Sequence, residues 1–386
     1  MDFQRLVLFV IFSMSGVFLF QAWQKENAPP KPVAPITAPA ATTDKKADVP
    51  TAPAAGSNAA TAPAGAVPGA TAPAVAPAAA PAGEVLTVKT DLFTAKINTI
   101  GGVIEEVALN EDKDAADKSK PYYVLLKNKD RTHVAQSGFN TTGFANHYSP
   151  YSKVSGSSEM GTANSLEIRL SAPIASGGKT DLVYTFKRGS YIVDVAHEVT
   201  NGGAAAVSPV AYFQLQRDSK VTGTENGMVG IFHGPVAYSE QDKYKKIDYK
   251  DLEKGKKNLY PQNVDNGWIG MVEHYFVDAW LPKAGMKREN YALKVDGADN
   301  YLAGLKTGVG DMAPGATAKI NVPLYMGPQE QDALKAAAPG LALVVDYGMF
   351  NFVAAPMFWL LKWFHSFVGN WGWAIILLTV LIKALF

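Results

Sequence analysis

A single cation interrupts the most apolar part of the chain, close to its C-terminal end. Lys383 follows residues 374–382, which are apolar apart from Thr379. Counted from Trp371 at about 1.5 Å per helical residue, Lys383 lies about 18 Å along a helix, past the middle of a hydrocarbon core of about 30 Å. An ammonium group at that depth is costly, so it usually has a function and needs water nearby. The alternative is a lysine side chain that extends to the cytoplasmic surface.

No other pattern predicts catalysis. The six histidines show no metal-ligand spacing, and the chain has no His-Glu-x-x-His motif, nucleophile elbow or phosphate-binding loop. Glu273 and His274 are a pair that a sugar-processing sandwich could use, but neighbouring residues on a strand point to opposite faces. Residues 268–281 are better explained as a core strand or buried helix with polar residues outward. We therefore predict a non-enzymatic protein without catalytic residues, cofactor or metal.

The composition narrows the possible functions further. The chain has 386 residues, a formal net charge of +1 and no cysteine. The missing cysteine excludes disulfides and thiolate metal sites, and the small net charge gives no reason to expect direct nucleic-acid binding. Lysines cluster between residues 243 and 257, but interleaved acidic residues predict a solvated loop. The lysines of this cluster are Lys243, Lys245, Lys246, Lys254, Lys256 and Lys257.

An N-terminal transmembrane anchor is predicted over residues 1–26. Its apolar run, 6–20, approaches the roughly 20 residues that span a bilayer when it is extended through Trp23, an aromatic residue suited to the interface. A cleaved signal peptide is the alternative, but the residues after the run offer no small-x-small cleavage site. Arg5 and the free amino group predict a cytoplasmic N-terminus, which puts the chain beyond Trp23 outside the cytoplasm.

Residues 27–83 form a low-complexity segment of alanine, proline and threonine with a repeated Thr-Ala-Pro motif. Proline removes backbone donors and favours extended conformations, and the segment lacks the large apolar side chains that a core needs. We therefore predict a disordered linker. For its roughly 57 residues, the reach lies between about 40 Å as a coil and roughly 175 Å when fully extended.

The segment 84–340 is predicted to be a large all-β sandwich with a short C-terminal helix. Apolar and polar residues alternate in short runs separated by Gly, Asn and Asp turns. The clearest runs are 182–187, 191–200 and 207–216, which two glycine-containing turns should join as consecutive antiparallel strands. We expect two sheets that bury alternate residues against each other, and a short helix over 329–338.

An aromatic run, 341–370, is predicted to be an amphipathic helix in the headgroup layer. A spanning helix is the alternative, but charged and polar residues and Pro356 interrupt every window long enough to cross. A second transmembrane helix then occupies 371–386, and we expect it to continue past Phe386. The polar face consists of Lys362, His365, Ser366 and Gly369, and the predicted interfacial anchors are Trp359, Trp363, Trp371 and Trp373.

The C-terminal part of the chain resembles a known family. Residues 345–348 (VDYG) and 360–372 (LLKWFHSFVGNWG) are similar to the run that enters the second membrane helix of the YidC family of membrane protein insertases, the Gram-negative type within the YidC/Oxa/Alb group. The order of anchor, linker, β-domain and amphipathic helix matches as well. The resemblance covers the layout of the whole chain and is clearest from about residue 267 onward.

The resemblance implies an insertase and folding factor of the bacterial inner membrane, a multi-pass protein whose large periplasmic domain has a galactose mutarotase-like supersandwich fold without known sugar chemistry. It implies nascent membrane proteins as substrates, and the lipid bilayer, the Sec translocon (SecYEG and SecDF) and the ribosome as partners. The ribosome would bind through segments that follow Phe386. Lys383 matches the family's positive residue in a hydrophilic groove, where many relatives have arginine. Lysine keeps the charge but loses the planar fork that pairs with a carboxylate.

Two other classes of function stay open at this point. A membrane-tethered periplasmic binding module for glycans or partner proteins would use the β-domain as its working part and the second helix only as an anchor. A mutarotase-like enzyme would need a histidine and a carboxylate that converge in a pocket of the sandwich. Further hydrophobic spans after Phe386 would favour the insertase over the binding module.

Overall fold

The computed structural model describes residues 83–114, 117–220, 232–256, 259–295, 297–345 and 351–385. The anchor predicted at 1–26 and nearly all of the linker predicted at 27–83 lie outside these ranges. The described residues form an antiparallel β-sandwich, followed by two short helical segments and then by two longer helices. The predicted all-β domain is therefore confirmed.

Both sheets are antiparallel, and within the described ranges each has nine strands. In spatial order the first sheet consists of β1 (Val85–Lys89), β2 (Phe93–Asn98), β3 (Val103–Lys113), β4 (Pro121–Lys127), β5 (Thr132–Phe139), β10 (Val210–Asp218), β17 (Asn300–Gly308), β16 (Arg288–Lys294) and β13 (Asn263–Val264). The second consists of β12 (Lys243–Lys246), β11 (Gly234–Ser239), β14 (Trp268–Val272), β15 (Phe276–Trp280), β18 (Thr317–Pro328), β9 (Ile192–Asn201), β8 (Gly178–Lys187), β7 (Ser165–Pro173) and β6 (Ser152–Ser155).

The main core lies between the two sheets, where alternate residues of each strand meet. In β2, Phe93, Ala95 and Ile97 are buried, whereas the residues between them are half-buried. β7 shows the same alternation between buried and more exposed positions. Because the side chains of a strand alternate between its two faces, this pattern closes the core on one face of the sheet and leaves the other to solvent.

Helices follow the strands at two places. α1 (Tyr249–Glu253) comes directly after β12, so the loop predicted around the lysine cluster is instead an edge strand and a short helix. The lysines on both elements are exposed, as that prediction required. After β18 come α2 (Gln331–Ala337), a 3₁₀ turn (Leu341–Val344), α3 (Asn351–Val368) and α4 (Trp371–Leu385).

The second sheet also buries part of its outer face, under α2 and the 3₁₀ turn. Every residue of β14 and β15 is buried, because their inward side chains join the main core and their outward side chains join a smaller one. We call this smaller cluster the second core. Its members are Val236, Trp268, Val272, Val277, Ala279, Leu281, Tyr325, Leu334, Leu341 and Val344.

The predicted hairpin over 182–200 is confirmed, but the third strand predicted beside it is not. β8 and β9 pair along their length, and Gly189 in their turn has a φ of 67°, which glycine adopts without strain. The next run forms β10, which pairs with β5 and β17 in the first sheet. Alternation shows which residues face the core, but not which sheet a strand joins.

The segments predicted to be helical contain helices in the structure, and one boundary differs. The helix predicted over 329–338 is α2. The amphipathic segment was predicted to begin at residue 341, whereas residues 341–344 form the 3₁₀ turn and contribute Leu341 and Val344 to the second core. The longer helix itself begins at Asn351.

Candidate functional site

A two-residue corner separates α3 from α4. Gly369 has a φ of 64°, and its N–H donates to the His365 carbonyl oxygen over 2.8 Å, which ends α3. The Asn370 Oδ1 atom accepts from the N–H groups of Gly372 at 2.8 Å and Trp373 at 3.3 Å, which caps the start of α4. The His365 ring stacks on the Trp371 ring at 3.8 Å. Gly369 and Asn370 therefore fix the corner at which the two helices meet.

α3 exposes a stripe of aromatic side chains. Trp359, Trp363 and Phe367 follow one another at four-residue spacing, and Trp359 and Phe367 are 67% and 70% exposed. On the polar side of the helix, Lys362 Nζ lies 2.6 Å from a carboxylate oxygen of Asp332 on α2, so this residue contacts the helix that follows the β-domain. α3 is thus amphipathic in the structure, with its aromatic stripe uncovered.

α4 presents its cation away from its buried side. Ala374 and Leu378 are buried, whereas most of the other apolar side chains of α4 are exposed. Lys383 lies nine residues beyond Ala374, which is two and a half helical turns and places it on the opposite side of α4. Its side chain is exposed. Among the described residues, no helix combines the length and the apolar character needed to cross a bilayer.

The four tryptophans predicted as interfacial anchors all have uncovered side chains. Trp359 and Trp363 lie on α3, and Trp371 and Trp373 lie in the first turn of α4. Tryptophan has a large apolar ring and a polar N–H, which suits it to the boundary between headgroups and acyl chains. Their position in a membrane stays a prediction.

A cluster of charged side chains is buried at one end of the sandwich, where sequence analysis predicted none. Arg217 Nη2 lies 3.2 Å and His133 Nδ1 3.4 Å from Glu273 Oε1, and Arg131 also pairs with that oxygen. The Tyr122 hydroxyl donates to Glu273 Oε2 over 2.6 Å. On the other side of its ring, His133 Nε2 lies 3.1 Å from Asp278 Oδ2. We call these six side chains the buried charge cluster.

The charges of this cluster stabilise one another. Burial by itself raises the pKa of Glu273, but Arg217, His133 and Arg131 outweigh burial and hold that pKa well below its ordinary value. Burial by itself lowers the pKa of His133, but Asp278 and Glu273 outweigh it and raise that pKa. Each ring nitrogen of His133 faces a carboxylate, which favours the doubly protonated ring.

The buried charge cluster joins the two sheets. Four of its members belong to the first sheet or its loops: Tyr122 on β4, Arg131 just before β5, His133 on β5 and Arg217 on β10. The other two, Glu273 and Asp278, lie in the β14–β15 hairpin of the second sheet. Glu273 and His274 do not converge, because Glu273 is buried and His274 is exposed against the Tyr275 ring. The prediction that the polar residues of 268–281 point outward is wrong for Glu273 and Asp278.

An open groove of about 1000 Å³ lies beside β16 and β17. Arg288, although it borders the groove, donates to the Gly267 carbonyl oxygen over 2.9 Å, and burial lowers its pKa to about 10. Cations and carboxylates line the groove in equal number, so its charge favours no class of ligand. These residues are Lys287, Arg288, Lys306, Asp242, Asp265 and Glu289.

The all-β domain continues into two helices whose aromatic and apolar faces are exposed. These features define a class of protein in which a β-sandwich is attached to membrane-associated helices. Residues 85–360 match the family model of the YidC periplasmic domain. Membrane protein insertase YidC of Nitrosospira multiformis is 42% identical over 392 residues, which cover all of this chain and 68% of that protein. The same-named protein of Dechloromonas aromatica is 40% identical over 387 residues, with the same coverage. The chain belongs to the YidC family of membrane protein insertases, and the prediction of a non-enzymatic protein agrees with that membership.

Two solved structures are more distant matches. The crystal structure of an active YidC insertase has a TM-score of 0.33 and 10% identity, covering 79% of this chain and 57% of that one. A galactose mutarotase related enzyme from Lactobacillus acidophilus has a TM-score of 0.40 and 8% identity, covering 63% of this chain and 97% of that one. Both scores are too low for residue-level comparison.

Proposed function

We propose that the chain acts in a bacterial inner-membrane insertase, which inserts and helps to fold integral membrane proteins, alone or with the Sec translocon. The observation that carries the proposal is the family membership, which extends over the whole chain. The exposed cation on α4 and the exposed aromatic stripe on α3 add support from the structure. In this arrangement the N-terminus is cytoplasmic and the β-sandwich is periplasmic.

Lys383 is the residue that we assign to the polar groove of the insertase. It projects from the side of α4 opposite Ala374 and Leu378, so it is available to line a groove with helices beyond α4. A hydrated, positively charged groove stabilises the polar residues of an incoming segment inside the bilayer. The apolar part of that segment then partitions into lipid, which requires no nucleotide hydrolysis.

Partners follow from the same proposal. Nascent membrane proteins are the substrates, and they arrive from the ribosome or from the Sec translocon, SecYEG with SecDF. The ribosome would contact segments other than those described. No direct contact with nucleic acid is part of the mechanism.

Replacing Lys383 with Ala in the full-length protein should reduce the insertion of substrates whose translocated tails are acidic, by about tenfold if one charge contact of about 1.4 kcal/mol is lost. Neutral tails should be inserted almost normally, because they gain nothing from the ammonium group. Protease protection of the translocated tail measures insertion. Lys383→Arg is the matched control and should retain activity, and equal loss for acidic and neutral tails would contradict the role of the charge.

The aromatic stripe of α3 should lie in the headgroup layer of the bilayer. The chain has no cysteine, so Trp359→Cys and Trp363→Cys each provide a single site for a spin label. In reconstituted protein, we expect accessibility to oxygen and to a water-soluble nickel complex to place both labels at interfacial depth. Ser155→Cys on the exposed edge strand β6 is the control in water. Labels at 359 and 363 that behave like the label at 155 would refute the interfacial position.

A further inference from the structure

A strand of lysines forms one edge of the second sheet. Among the residues that the structure describes, β12 pairs with β11 alone, and three of its four residues are the exposed lysines Lys243, Lys245 and Lys246. Lysine on an edge strand prevents pairing with other sheets, which accounts for some of this charge. Protection of the edge does not explain two further exposed lysines that follow in the sequence. Lys250 lies on α1, and Lys254 directly follows α1. We call these five lysines the basic edge.

Two of the five carboxylates between residues 240 and 253 pair with lysines that are not part of the basic edge. Asp251 pairs with Lys256 at 2.8 Å, and Glu253 pairs with Lys294 at 2.8 Å. Within the part of the chain that the structure describes, Lys243 and Lys245 have no carboxylate within 4.0 Å. Glu240, Asp242 and Asp248 are also exposed nearby, so the five lysines of the basic edge exceed these three carboxylates. The basic edge is thus a local surplus of positive charge on a chain whose net charge is small.

The basic edge lies where the β-domain continues toward α3. Tyr244 on β12 packs against the second core, with its ring 6.1 Å from that of Trp268. Trp268 Nε1 in turn donates to the Pro339 carbonyl oxygen over 3.2 Å, and Val345 packs on the same core. Five residues separate Val345 from Asn351, the first residue of α3, so these two residues are at most about 20 Å apart. The lysines therefore lie at the end of the domain from which α3 departs.

We propose that the basic edge contacts anionic phospholipid headgroups of the membrane in which the protein is anchored, and that this contact sets the orientation of the sandwich above the bilayer. The proposal rests on the interfacial position of α3 proposed above, which brings this end of the domain close to the lipid. Clustered lysines near an anionic surface each strengthen the attraction about fivefold, and salt weakens it. Lipid headgroups fit this surface better than a folded partner does, because the positive charge is spread along an edge strand and the helix after it and is not concentrated at one site.

The test uses the full chain in lipid nanodiscs. Gln241→Cys places a fluorophore in the turn between β11 and β12, and a spin label on a phospholipid headgroup quenches it at short range. We expect strong quenching in nanodiscs that contain phosphatidylglycerol, weak quenching in pure phosphatidylcholine, and loss of the difference at about 0.5 M salt. Lys243→Glu with Lys245→Glu should lower the docking equilibrium by at least about 25-fold, a factor of about five for each lysine.

A matched variant and a second reporter make the outcome decisive. Lys153→Glu reverses an exposed lysine on β6, the opposite edge of the same sheet, and should leave quenching unchanged. Ser366→Cys reports the depth of α3. Quenching at 366 without quenching at 241, or equal quenching at 241 in both lipids, would overturn this proposal alone. Absence of quenching at 366 would overturn the interfacial position of α3 and this proposal with it. If Lys243→Glu with Lys245→Glu weakens crosslinking to an acidic substrate but does not change quenching at 241, the basic edge binds a protein partner and not lipid.

Discussion

Replacing Glu273 with Gln is expected to lower the free energy of unfolding of the β-domain by about 3–5 kcal/mol, because removing one member of a buried charge pair leaves its partners uncompensated. Two guanidinium groups and one imidazole converge on the Glu273 carboxylate, and all lie away from water or nearly so. Glutamine keeps the shape but removes the negative charge. Urea unfolding of a fragment that spans residues 84–345, which contains both cores, measures the change.

The matched control is an ion pair on the surface. Lys89 and Glu159 also approach within 2.8 Å, but both side chains are mostly exposed. Glu159→Gln should therefore cost less than about 1 kcal/mol, since exposed pairs are screened by water. Similar losses for Glu273→Gln and Glu159→Gln would contradict the importance of the buried charge cluster.

The same cluster predicts how stability depends on pH. The lowered pKa of Glu273 means that its contribution is present above the unfolded value of 4.5 and is lost as pH falls through the folded value. His133 has the opposite sign, because its raised pKa gives a contribution that is complete below 6.5 and is lost as pH rises through the folded value. The free energy of unfolding should therefore fall both at acidic pH and at alkaline pH. Glu273→Gln should weaken its dependence on pH in the acidic range. An unchanged acid dependence in that variant would argue against this assignment.

Replacing Trp268 with Ala is expected to lower the free energy of unfolding by about 3–5 kcal/mol, the usual cost of removing a buried tryptophan. Trp268 is almost fully buried in the second core, and its ring packs beside those of Tyr238 and Tyr244. The variant also removes the hydrogen bond to Pro339. Hydrogen exchange should therefore accelerate selectively over the 3₁₀ turn, which links the domain to α3.

Trp280→Ala is the matched control for this prediction. Trp280 is as buried as Trp268 but lies in the main core, between the sheets. We expect a similar loss of overall stability without selective exchange over 341–344. If both variants release the 3₁₀ turn equally, the second core does not hold it separately from the rest of the domain.

Much of the fold could be predicted because its signals are local. The β8–β9 hairpin follows from alternation and from one glycine at the turn, and α2 follows from the prolines that bound it. β10 could not be placed, because its partners on β5 and β17 lie about 72 to 98 residues away along the chain. The burial of all of β14 and β15 was also hidden, since it needs α2 and the 3₁₀ turn to cover the outer face of the sheet.

The candidate site shows the same division. Lys383 and the four tryptophans could be singled out because each stands out against its immediate neighbours. The buried charge cluster could not, because its members come from β4, β5, β10 and the β14–β15 hairpin, and their spacing has no regular pattern. The only signal was the presence of two acidic residues, Glu273 and Asp278, in the largely apolar run that forms the β14–β15 hairpin.

The position of β18 has a consequence for synthesis and export. It is the last strand among the described residues, yet it lies in the middle of the second sheet, between β15 and β9. A chain that is translocated N-terminus first therefore carries two incomplete half-sheets with unpaired edges until β18 emerges. Closure of the domain has to wait until export has almost reached α3, and during that interval the open strands are most exposed to aggregation and most in need of protection.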